Sequence, residues 1–157
     1  FPTMSEPLHR ARASTLVSAR DRAKELLRLA GEVFLELAPT VDLVPRPLLP
    51  RVPEPFGPAD VDEFAEEVRI GVLNQERDTP ITNLTALVER AGIILVPIVG
   101  LPGIDGLSSW VDLGGTSYPV IGIDPSKPGD RYRLTLLHEV GHLAMHRRAS
   151  ESAAFRC

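Results

Sequence analysis

Residues 130–146 read DRYRLTLLHEVGHLAMH, and how this stretch folds decides what the rest of the chain must be arranged around. Leu136, Leu137, Val140, Leu143 and Ala144 recur at steps of three and four, the spacing of a helix with an apolar face. Asp130 can cap its start, so a helix is expected from about Arg131 to Arg148. With Leu134 added, the apolar flanks predict that this helix is largely buried. Inside it stands His138-Glu139-Val140-Gly141-His142. Residues four apart share one helix face, separated by about 6 Å along the axis, so two imidazoles can reach a common ion. Glu139 is turned by about 100° from its neighbour and stands beside that ion. Two buried histidines and a buried glutamate with no shared purpose would be costly, which points to a metal site. Gly141 costs about 1 kcal/mol relative to alanine inside a helix and is expected to mark a close neighbour such as a strand.

The ion that suits this pattern is Zn2+, which lowers the pKa of bound water to roughly 7 and polarises a scissile carbonyl. Glu139 is then the general base, taking a proton and passing it to the leaving amine. A catalytic zinc needs a further protein ligand beyond His138 and His142. His146 continues the four-residue spacing, but on a straight helix it sits too far along the axis and reads as a supporting residue. Glu151 follows Arg147-Arg148-Ala149-Ser150, where the chain can turn and bring back a carboxylate. The third ligand is therefore Glu151, or it lies past Cys157.

Working outward, Ile93–Val99 is an apolar, β-rich run and reads as a buried strand. Leu107–Leu113 and Tyr118–Asp124 are two more strand candidates, and the short Gly114-Gly115-Thr116-Ser117 connection predicts that they form a hairpin. Residues 59–73 read as a helix with Val61, Phe64, Ala65, Val68 and Leu73 inward. Thr79-Pro80 reads as the N-cap and first position of another, carrying Ile81, Leu84, Leu87, Val88 and Ala91 and stopped by Gly92.

Residues 14–38 read as a long amphipathic helix with Leu16, Ala19, Ala23, Leu26, Leu27, Ala30, Val33, Phe34 and Leu37 on its apolar side, capped by Ser14 or Thr15. That stripe must pack on this domain, on a second copy of the chain as a homodimer, or on a partner. Residues 39–58 hold Pro39, Pro45, Pro47, Pro50, Pro53, Pro55 and Pro58, a composition typical of an extended, semi-rigid linker or a wrapping arm. The expected division is a helical arm at 1–38, a linker at 39–58 and a domain at 59–157. The fold class is α+β, with a small three-stranded antiparallel or mixed sheet packed on helices.

Composition narrows the function. At 157 residues the chain suits a single compact domain or a domain with an appendage. Aromatics at 5% argue against a base-stacking surface, and the net charge of −4 against overall attraction to nucleic acid or anionic membrane. Arg10, Arg12, Arg20, Arg22, Lys24 and Arg28 cluster near the start, but such a run reads as a solvated helix face. The lone cysteine, Cys157, permits no internal disulfide, and a reducing cytoplasm fits best. No signal peptide is visible, and the longest apolar run, Gly92–Ile104, is too short to span a membrane. Met4-Ser5-Glu6 reads as a natural start, with Phe1-Pro2-Thr3 as a remnant ahead of it.

The segment from Asp130 to His146 resembles the ImmA/IrrE family of bacterial and phage metallopeptidases, in which two arginines spaced by one residue, here Arg131 and Arg133, precede HExGHxxxH. Gly106-Leu107-Ser108-Ser109-Trp110 and Pro119-Val120-Ile121-Gly122-Ile123-Asp124 are similar to its strand pair, so the resemblance covers about residues 59–157. It implies a zincin-like minimal domain. It also implies a later helix of the form ExxAxxF that supplies the third ligand, to which Glu151 and Ala154 correspond, with Cys157 in the aromatic place. The gap from His142 to Glu151 is short for the family, and the chain stops where that helix should continue. The implied function is a cytoplasmic zinc endopeptidase that cleaves a transcriptional repressor, or regulates one by contact.

Two functions from different classes follow. An active endopeptidase would bind substrate as a strand added to Leu107–Leu113, with Ser108, Ser109 and Trp110 as contacts. A regulatory binding module would keep the metal site for structure alone and use the 14–38 helix to meet its partner. A DNA-binding regulator is the weakest reading, because no helix-turn-helix is evident. Arg131 and Arg133 are expected to support the motif or anchor the preceding loop. Tyr118 and Tyr132 are the phenols that could assist an oxyanion.

Overall fold

The computed structural model describes residues 6–37, 40, 49, 57–113 and 116–145. The first helix, α1 (Glu6–Leu37), begins eight residues before the expected start. Pro7 lies in its first turn, where a missing N–H breaks no helical bond. The end is closed by the Thr40 hydroxyl, which donates to the Leu37 carbonyl at 2.6 Å.

After a 3-10 turn at Pro58–Asp60, α2 (Val61–Glu67) runs into a π-helical turn at Val68–Val72, where the Leu73 N–H reaches the Val68 carbonyl at 3.0 Å. Asn74, at φ 51°, ends it. The next helix does not start at Thr79-Pro80. The Arg69 guanidinium binds the carbonyls of Glu76 and Thr79, so Thr79 has another partner where a helix start would need its carbonyl. Asn83 is the cap instead: its Oδ1 accepts the Ala86 N–H at 3.1 Å, and α3 spans Leu84–Arg90.

The three strands are β1 (Ile94–Pro97), β2 (Gly106–Leu113) and β3 (Thr116–Ile123). Their order is β1-β3-β2, a mixed sheet. β1 runs parallel to β3 with Ile94 opposite Val120, and β2 runs antiparallel to it with Gly106 opposite Ile123 and Ser108 opposite Ile121. Among the described residues β2 is thus an edge strand.

The sheet lies between two helical layers. On one face Leu27 and Phe34 of α1 pack against Ile94, Val96, Leu107, Val111, Tyr118 and Val120. Gly122 permits this approach, since a Cβ there would lie 3.0 Å from Cδ2 of Leu27. Further along, Ala19 and Ala23 meet Ile98, Leu101 and Ile104. The α1 stripe therefore packs on the strands that follow the proline-rich stretch. Only part of it is covered: Leu26, Val33 and Leu37 are exposed.

On the other face Ile121 and Ile123 meet Leu136, Val140, Leu143 and Ala144 of α4 (Gly129–Met145), with Phe64, Val68, Leu84 and Val88 completing the main core. α4 is buried on that side alone: Leu134 is 71% exposed and Leu137 40%, because among the described residues no element covers its outer face. No helix among the described residues is long and apolar enough to cross a membrane.

Candidate metal centre

The helical repeat that sends Leu136, Val140 and Leu143 inward turns His138 and His142 together toward the rim of α4. Their Nε2 atoms are 2.9 Å apart, with ring centroids at 4.4 Å and planes at 84°. Tetrahedral zinc holds imidazole nitrogens at about 2.0–2.1 Å, which sets two of them roughly 3.3 Å apart, a few tenths of an ångström more than the separation of this pair.

Glu139 points the other way, toward β2, and is only 7% exposed. Its Oε2 accepts a 2.7 Å hydrogen bond from the Ser108 hydroxyl. The strand comes this close because residue 106 is glycine. A Cβ there would stand 2.6 Å from Cγ2 of Thr135, 3.2 Å from Cγ of Glu139 and 3.5 Å from its Oε1. The close approach expected at Gly141 is found here instead: among the described residues a Cβ at 141 would meet only Met145 of the same helix, at an ordinary 3.6 Å. The Glu139 carboxylate is thus buried against β2 with a neutral hydroxyl as its donor and no ion pair among the described residues, while the two imidazoles meet at the rim of the helix.

The remaining predicted residues fall into distinct places. Ser108 and Trp110 share the face of β2 that meets α4, and Trp110 packs against the main core. Ser109 lies on the alternate face, toward α1, so the structure does not bring the three together as one surface. Arg131 binds the Asp105 carboxylate through Nε at 2.7 Å and through its terminal nitrogen. Arg133 donates to the Ile81 carbonyl at 2.7 Å. Both arginines fasten α4 to its surroundings. The Tyr132 hydroxyl lies 3.4 Å from that of Thr85, and Tyr118 belongs to the α1 side of the sheet. His146 and Glu151 lie outside the described residues, and within those residues no group of three His, Cys, Asp or Glu side chains forms a ligand set.

Charges gather where β2 begins and α4 starts. Lys127 and Arg131 hold the Asp105 carboxyl below the usual carboxylate range, and Asp105 in turn raises Lys127. The Ser126 hydroxyl and N–H hold Asp124 low in the same way. The Asp124 N–H also reaches the Asp105 carbonyl at 2.9 Å, so this cluster clamps the strand carrying Gly106 and Ser108 to the helix carrying Glu139. Sequence reading missed Gly106 and Thr135, whose only trace is the two-residue alternation linking 106 with 108. No family model, curated protein or solved structure matches the chain.

Proposed function

We propose that this chain is a zinc-dependent endopeptidase with a zincin-like site of the ImmA/IrrE kind, acting in the cytoplasm on a regulatory protein such as a transcriptional repressor. The observation that carries this reading is the pair of Nε2 atoms 2.9 Å apart on α4, with the buried Glu139 between them in sequence. His138 and His142 would hold the ion. When bound, zinc supplies Lewis acidity toward a peptide carbonyl and toward water.

Glu139 does the proton work in this reading. Its carboxylate takes a proton from the attacking water and returns it to the leaving amine. Burial keeps bulk water from competing for that proton. The edge of β2 that no described strand covers offers backbone N–H and C=O groups to an extended substrate, which would lie along the strand next to Glu139.

Elemental analysis of the purified chain tests the first step, with a zinc ion per chain expected. Glu139→Gln is expected to keep the metal and lose cleavage of a repressor-type substrate. Retained cleavage in that variant would remove Glu139 from the mechanism. A chain that binds the repressor equally well as wild type and as Glu139→Gln, with no cleavage by either, would be a binding module instead.

A further inference from the structure

We infer that Ser108 is a positioning residue for Glu139, and that it acts on the carboxylate rather than on substrate; this rests on the peptidase reading above. Ser108 faces α4 because it is two residues from Gly106 on the same strand face. Its Oγ is already engaged, donating at 2.7 Å to Oε2 of Glu139 across 31 residues of sequence. The bond fixes the last torsion of the glutamate, which is otherwise a broad and nearly two-fold rotor.

Fixing that torsion assigns different tasks to the two oxygens. Oε2 is held by the hydroxyl. Oε1 lies over Gly106, 3.5 Å from where a Cβ would stand, in space that any other residue would fill. Oε1 is thus the oxygen the hydroxyl does not hold, and in this reading the proton transfer falls to it. A hydroxyl suits the task because it is neutral: it orients the carboxylate without pairing its charge, as an arginine or lysine at 108 would. A pre-oriented base is worth much in rate, since a misplacement of about 1 Å can cost on the order of 100-fold.

The test uses the full chain with its glutamate carboxyl carbons labelled with 13C, the Glu139 signal being the one lost in Glu139→Gln. Without added metal, Ser108→Ala is expected to move that signal and Ser108→Thr to restore it. An unmoved signal in Ser108→Ala overturns the inference. With zinc added, Ser108→Ala is expected to bind the ion as wild type does. It should hydrolyse fluorescently labelled casein with kcat lowered about 10-fold or more and KM unchanged, and Ser108→Thr should recover most of the rate. Equal kcat in Ser108→Ala and an active wild type also overturns it. If wild type takes up no zinc, the peptidase reading fails on that ground, and the carboxyl signal alone decides whether Ser108 holds Glu139.

Discussion

Nε2 of His138 and Nε2 of His142 face each other at 2.9 Å across a single helical turn. Adding zinc should replace this contact with two coordinate bonds. A ligand present at about 100 times its Kd stabilises the folded state by roughly 2.7 kcal/mol. Zinc is therefore expected to raise the melting temperature of wild type, measured by calorimetry. His142→Ala should lose that rise while melting near wild type in a chelator. An equal zinc response in both would place the ion elsewhere.

Gly106→Ala should damage the site through packing. The new Cβ would meet Cγ2 of Thr135 at 2.6 Å, and a β-branched residue on a helix has little freedom to turn away. Overpacking of this kind costs about 1–3 kcal/mol. Adding Thr135→Ala removes that contact but leaves the one to Cγ of Glu139 at 3.2 Å. The double variant is expected to regain most of its stability in urea titration yet cleave more slowly than wild type. Full recovery of both would show that Thr135 alone demands the glycine.

Asp105 gives a pH signature away from the histidines. Its folded-state pKa is lowered, by Lys127 first and Arg131 second. A lowered carboxyl contributes stability above its unfolded value and loses that contribution as pH falls through the folded value. Asp105→Asn should therefore be less stable than wild type at pH 7, with the gap closing below about pH 4, near the unfolded value for aspartate. Equilibrium unfolding at a series of pH values reads this directly, and a gap that persists undiminished into strong acid would contradict it.

The start of α3 rests on one side chain. Asn83→Ala removes the acceptor for the Ala86 N–H and should cost roughly 1 kcal/mol, seen as a lower urea midpoint at unchanged slope. Thr79→Ala should cost little by comparison. If the two costs are reversed, helix initiation lies at 79 after all.

Much of this was legible because it is local. The pattern that buries Leu136, Val140 and Leu143 is readable over one helix, and it carries His138 and His142 to the same rim without reference to anything else. The β2–β3 hairpin follows from two apolar runs and a glycine pair. What escaped depends on distant partners. Nothing near Ser108 in sequence says that its hydroxyl will find Glu139. Gly141 was expected to mark a close neighbour and Gly106 was not, and only the approach of β2 to α4 puts the close contact at Gly106. Thr79-Pro80 has good local chemistry for a helix start, but Arg69, ten residues earlier, takes the carbonyl. Likewise the apolar positions of α1 announce a face, while the choice of Leu27 over Leu26 belongs to the sheet.

That last choice bears on how the molecule can be cut. Leu27 and its neighbours shield Ile94, Val120 and Leu107, which lie beyond the proline-rich stretch. A recombinant piece begun at residue 59 would keep the histidines and the glutamate but present a wet, greasy underside, inviting self-association. The severed helix would face the same difficulty with its own bare flank. Neither half stays dry alone, so an assay of the proposed activity should begin from a chain that retains its opening helix.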